Sequence, residues 1–189
     1  MFRKRGKQAQ FFLIAAVVII VVVVSVVTVS NYTQKKDTVK LYDVGQELGI
    51  ESQNVLYYGT YSELNETEME DLMENFIKNY VNYIQEKKNI YFIFGNENKI
   101  RVIGYQEISN ESVCVKLSSY GHSYTECTPY LTIGETQEFP AEAGEKISKV
   151  IIRIEDKEYQ FGLRKGENFY FVIWQEVGGE KHVVISDTE

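Results

Sequence analysis

Proline is scarce in this sequence, with only Pro129 and Pro140 in 189 residues. No Pro-rich spacer separates one part of the chain from another. Cysteine is nearly as rare, and Cys114 and Cys127 are the only two. That excludes a disulfide-dense scaffold and a four-cysteine zinc site. Only His122 and His182 offer imidazole bases, and neither His-Glu-x-x-His nor Gly-x-Ser-x-Gly occurs. Gly121-His122-Ser123 has no recognisable triad partner, and the phosphate-cradling Gly-x-x-x-x-Gly-Lys pattern is also missing. Cations are in the minority, 20 Lys and Arg against 27 Asp and Glu, giving a net charge of −7. Such a balance argues against binding nucleic acid by bulk electrostatics. No acid precedes Asp37, so the excess of negative charge belongs wholly to the chain from Asp37 onward. The carboxylates, 22 Glu and five Asp, are the ordinary signature of a solvated acidic surface, and no glycosidase pair can be picked from them without geometry.

What the chain does have is one long apolar run. Phe11 to Val29 read FFLIAAVVIIVVVVSVVTV, nineteen residues without a charge. A helix of that length spans about 28 Å, close to the hydrocarbon thickness of a bilayer. Val and Ile are poor helix formers in water, but lipid leaves the backbone no other partner than itself. Arg3, Lys4, Arg5 and Lys7 stand directly before the run. The positive-inside rule then places Met1 in the cytoplasm and the C-terminal part outside the cell membrane. A cleaved secretory signal is the competing reading; its apolar core is shorter and ends in small residues, which Thr28-Val29-Ser30 imitates poorly.

Lys4-Arg5-Gly6, followed by Lys7-Gln8-Ala9-Gln10 and then the apolar run, resembles the class III leader of archaeal type IV pilin-like proteins. The resemblance implies a membrane peptidase cutting between Gly6 and Lys7, with the apolar helix kept on the mature chain as a subunit contact. It covers about the first thirty residues. Two positions depart from the pattern: Ala9 stands where archaellin-type leaders carry Gly, and Phe11 where bacterial pilins carry Glu. The overall plan also resembles small uncharacterised archaeal single-pass membrane proteins with a β-rich outer domain, and Asn89-Ile90-Tyr91-Phe92-Ile93-Phe94-Gly95-Asn96 belongs to that comparison. A plain uncleaved anchor explains the same basic residues, and the two readings stay open.

The expected organisation is a basic cytoplasmic leader (1–10), a transmembrane helix (11–29), a juxtamembrane segment (30–56) and an extracytoplasmic domain (57–189). Val39 to Leu48 has weak helical character, and Gly45 and Gly49 weaken it further, which speaks against one long unbroken helix. A strong helix is expected from Thr67 to about Lys88. Thr67 and Glu70 form a capping-box pattern, and Met69, Leu72, Met73, Phe76, Tyr80, Tyr83 and Ile84 make an apolar stripe. Seven or eight short strands come after it. Gly95-Asn96-Glu97-Asn98 and Gly178-Gly179 are hairpin turns. The fold class is α+β: one N-terminal transmembrane helix, then a mainly antiparallel, sandwich-like β domain with one packed amphipathic helix.

Cys114 and Cys127 lie in the part placed outside, where disulfides persist, and a bond closing their short loop would contribute about 3 kcal/mol. A metal site from Cys114, His122 and Cys127 fits no common zinc spacing. Asn31-Tyr32-Thr33, Asn65-Glu66-Thr67 and Asn110-Glu111-Ser112 are sequons, so Asn31, Asn65 and Asn110 are candidate N-glycosylation sites. Residues 118–130 form a Tyr- and Ser-rich stretch suited to surface contact. No catalytic, cofactor-binding or metal-binding residue is assigned. The reading is a non-enzymatic envelope protein whose partners are the lipid bilayer (Phe11 to Val29), a second copy through the transmembrane helix, and other envelope proteins, with no nucleic acid. An extracytoplasmic hydrolase is the rival; a convergence of Glu and Tyr in a deep pocket would favour it.

Overall fold

The computed structural model describes residues 4–84, 89–105, 113–119, 123–128, 134–141, 145–154 and 156–186. The chain divides into two compact units, Met1–Lys40 and Leu41–Glu189.

Helix α1 runs from Lys4 to Tyr61 without a break, 58 residues in all. The expectation that Gly45 and Gly49 would interrupt it is therefore corrected. In the first unit α1 contains one stretch long and apolar enough to cross a membrane, Phe12–Thr33, of which none is buried. Two of its hydroxyls bond within the helix. Ser25 Oγ donates to the Val21 carbonyl at 2.7 Å and Thr28 Oγ1 to that of Val24 at 2.8 Å. Each hydroxyl thus finds a partner within its own helix, which suits an apolar surround.

The second unit begins with the rest of α1. Leu41, Gly45, Leu48, Ser52 and Gly59 are buried, recurring at three-, four- and seven-residue steps along one face. Gly45 explains how a glycine belongs in this helix. A Cβ there would run into the Val184 side chain, so only a bare backbone can approach the sheet this closely. The segment expected to be a juxtamembrane connector (30–56) thus supplies core residues from Leu41 onward.

Helix α2 spans Glu66–Ile84. Its cap is Asn65, not Thr67. Asn65 Oδ1 accepts from the Glu68 amide, and Glu68 Oε2 accepts from the Asn65 amide, both at 3.0 Å. This is the reciprocal capping box, two residues earlier than expected. Met69, Met73, Ile77 and Tyr80 form the buried stripe, while Tyr83 is 68% exposed. Residues 85–88, the expected end of the helix, lie outside the described residues.

Nine strands come next among the described residues: β1 (Asn89–Gly95), β2 (Lys99–Tyr105), β3 (Val113–Ser119), β4 (Ser123–Thr128), β5 (Thr136–Pro140), β6 (Ile147–Ile154), β7 (Lys157–Gly162), β8 (Asn168–Val177) and β9 (Glu180–Ile185). They form a five-stranded sheet ordered β5-β2-β1-β8-β9 and a four-stranded sheet ordered β4-β3-β6-β7. Every pairing among them is antiparallel. The α+β class with mainly antiparallel strands holds, with two helical segments packed on the sheet in place of one.

Side-chain alternation explains the layers. Tyr91, Ile93, Tyr170, Val172 and Trp174 point from the five-stranded sheet towards Val115, Val150, Ile152 and Phe161 of the four-stranded sheet. Ile90, Phe92, Phe94, Phe169, Phe171 and Ile173 point the other way, onto Leu41, Leu48, Met73 and Ile77 of the helices. The middle sheet is covered on both faces, which is why β1 and β8 read as continuous apolar runs. Each of these buried Phe or Ile side chains contributes about 1.5–3 kcal/mol. The β8–β9 turn has φ of 63° at Gly178 and 83° at Gly179. Positive φ at both central residues is the primed hairpin turn expected for a Gly-Gly pair.

Candidate functional site

A groove of about 730 Å³ runs between α1 and the β8–β9 end of the middle sheet, with Tyr42, Gln46, Ile50, Phe171, Val184 and Ile185 among its walls. None of its lining residues is charged. Gln53, Leu56 and Phe169 also line a second hollow of about 480 Å³, which ends at Tyr57, Arg164 and Glu167. Arg164 and Glu167 bring charge to that end.

Asn168 builds that end. Its Nδ2 donates to the carbonyls of Arg164 and Gly166 at 2.9 and 2.8 Å, and its Oδ1 accepts from the Arg164 amide at 2.9 Å. The Tyr170 hydroxyl donates to the Gly162 carbonyl at 2.5 Å. One buried amide thus holds the β7–β8 connection in shape. Glu167 accepts from Asn96 Nδ2 at 3.0 Å. Burial raises its pKa, the Asn96 hydrogen bond opposes that, and the carboxylates of Glu66 and Glu70 raise it further. Burial likewise raises the pKa of the Tyr170 hydroxyl.

The densest set of carboxylates lies elsewhere, where α2 crosses β2 and β5. Lys99 and Arg101 sit on the helix-facing side of β2 by alternation. Glu70 meets Lys99 Nζ at 2.5 Å and Arg101 Nη2 at 2.7 Å. Arg101 also meets Glu138 of β5 at 2.5 Å and Glu74 at 3.7 Å, and Thr136 Oγ1 donates to Glu74 at 3.1 Å. The Glu70 side chain is only 9% exposed. A carboxylate so placed is paired with two cations, and the cluster ties α2 to the sheet edge. Tyr80 adds a second tie, donating its hydroxyl to the Val44 carbonyl of α1 at 3.0 Å. Burial is the main cause of a strongly raised Tyr80 pKa, with Glu47, Tyr83 and Glu51 adding to it. These carboxylates are engaged in packing and do not converge on either hollow. Among the described residues no group of three His, Cys, Asp or Glu is placed to hold a metal ion.

The residues singled out in the sequence are scattered. Gly6 and Lys7 lie in the first turns of α1. Cys114 and Cys127 are direct register partners across β3 and β4. Asn31 lies inside the apolar span, near its end, and Asn65 is the exposed cap of α2. Asn110 and His122 lie outside the described residues, as do residues 120–122 and 129–130 of the Tyr-rich stretch. His182 is half-buried on β9, opposite Gln175. Sequence reasoning missed the Lys99–Arg101 pair. The available signal was their alternation with Ile100 and Val102 on one strand, beside a helix rich in Glu.

Comparison with known proteins gives no match: no family model fits the chain, and neither the curated proteins nor the solved structures supply one.

Proposed function

We propose that this chain is a non-enzymatic, single-pass envelope protein of pilin-like build, with its N-terminus cytoplasmic and its α+β domain outside. The observation that carries the reading is α1. One helix, unbroken from Lys4 to Tyr61, holds both the exposed apolar span and the face that packs on the sheet. A pilin-type subunit needs a helix of this kind, because the same element anchors the subunit before assembly and packs against its neighbours afterwards. The basic leader ending at Gly6 agrees with this reading, as does the positive-inside orientation. Cys114 and Cys127, opposite one another and with no free cysteine among the described residues, are read as a bond that staples β3 to β4 at about 3 kcal/mol. Asn65 is better placed for glycosylation than Asn31, which falls within the span.

The test is the intact mass and N-terminal sequence of the protein taken from its native membrane. A mature chain beginning at Lys7 supports leader processing and assembly. A chain beginning at Met1 or Phe2 removes the pilin reading and leaves a plain anchor presenting the domain. The uncharged groove beside α1 favours that second reading, with the domain as a binding module for an apolar or neutral ligand.

A further inference from the structure

Within the domain the helix layer and the four-stranded sheet are the two outer layers, and they carry opposite charge. By register, Lys116 and Ile151 are partners, Cys114 is opposite Arg153, and Ser118 is opposite Lys149. Alternation therefore puts Lys116, Lys149 and Arg153 around Ile151 on the outer face of this sheet. Arg153 is exposed, and the other three are half-buried. Glu158, opposite Arg153 on β7, is the one acid that the register puts on this face among the described residues. A cationic face is unusual on a chain of net charge −7.

The solvent side of α1 is its counterpart. Asp43, Glu47 and Glu51 are exposed at successive four-residue steps, so they share one stripe. Ile50 lies on the same stripe and is 54% exposed. A shallow hollow of about 280 Å³ is lined by Asp43, Gln46, Glu47, Ile50 and Glu51. One face is thus an isoleucine among three cations, and the other an isoleucine beside three carboxylates.

We infer that these two faces bind each other between copies of this chain, the α1 stripe of one copy on the four-stranded sheet of the next. The partner is a second copy because the chain carries both halves of the match. The two faces are on opposite layers of one domain, so the contact is heterologous and links copies head to tail, as a ring or an open row according to the rotation between them. Apolar centres give the contact its core, and the charged rims set partner and register. The inference rests on the reading of the chain as an assembling subunit but does not need leader cleavage.

The experiment uses the full chain, labelled with donor and acceptor dyes and reconstituted at low density in phosphatidylcholine vesicles. Energy transfer reports association. Reversing the sheet face (K116E, K149E and R153E together) or the helix stripe (D43K, E47K and E51K together) weakens association about tenfold at low salt. Mixing the two reversed proteins restores transfer between them to within about twofold of the original. A misfolded variant cannot give that recovery. Raising the salt to about 0.5 M weakens association of the unaltered chain. Association unchanged by either reversal, or reversed proteins that fail to recognise each other, overturns the interface. A chain that starts at Met1 and passes this test keeps the interface and loses leader processing. A chain that starts at Lys7 and fails it keeps processing and loses the interface.

Discussion

The two halves of α1 solve different solvent problems with one backbone. In Phe12–Thr33 apolar side chains surround the helix, and none of the stretch is buried by protein. From Leu41 to Tyr61 only one face is covered, and its buried positions mix two large residues with three small ones: Leu41, Gly45, Leu48, Ser52, Gly59. The first half has the length and uniform apolarity that a lipid surround would require. The second needs shape, because a sheet contacts one side closely. Composition reports the first requirement well and the second badly.

The largest expected effect comes from breaking the uniform half. Val21→Asp with Val22→Asp places two charges at mid-span, at about 3 kcal/mol each by insertion scales. The double variant is expected in the alkaline-carbonate supernatant, where the unaltered chain stays in the pellet. Retention of the variant in the pellet would show that this stretch is not what holds the protein to the membrane.

The packed half breaks at a single side chain. Leu48 is fully buried against the sheet. Leu48→Ala is expected to cost about 2–5 kcal/mol in urea unfolding of the detergent-solubilised chain. A loss under about 0.5 kcal/mol would mean that α1 does not dock there.

The glycines sharpen the contrast further. Gly45→Ala drives a methyl into Val184, for an expected loss of about 1–3 kcal/mol. Gly49→Ala, with nothing within 4 Å of the new Cβ, is expected to gain about 1 kcal/mol from helix propensity. The same urea titration measures both, and equal effects at the two positions would contradict the close approach.

The smallest effect is a pH slope. Burial raises the Glu167 pKa in the folded protein above that of the unfolded chain. The protonated form is therefore favoured by folding, and this contribution is present at low pH and lost as pH rises through the folded pKa. Glu167→Gln is expected to remove that part of the slope and to be slightly more stable than the unaltered chain near neutrality. A slope unchanged by the substitution would assign it to other groups.

Much of the domain was legible in its residues. Alternation and turn chemistry located most strands, and Gly178-Gly179 named its own turn type. The stripe of α2 was mostly readable, although its cap was placed at Thr67; Asn65 won because its own side chain reaches the Glu68 amide. The docked part of α1 was not readable. Two of its five buried positions are glycines and one is serine, so a hydrophobic pattern sees only Leu41 and Leu48. Propensity treats Gly45 as a helix breaker, while tertiary contact uses its missing side chain. The Glu70–Lys99–Arg101 cluster was hidden for a related reason, since charged residues on a helix and on a strand signal solvent until their partners are known.

The continuity of α1 from Lys4 to Tyr61 carries the pilin-like reading. Amide hydrogen exchange of the full chain in lipid nanodiscs would test it at residues 34–40. An unbroken helix predicts slowed exchange at every amide from Gln34 to Lys40, continuous with the protected amides on either side. Fast exchange confined to these residues would mean two separate helices joined by a hinge, and would remove the observation on which the pilin-like reading stands.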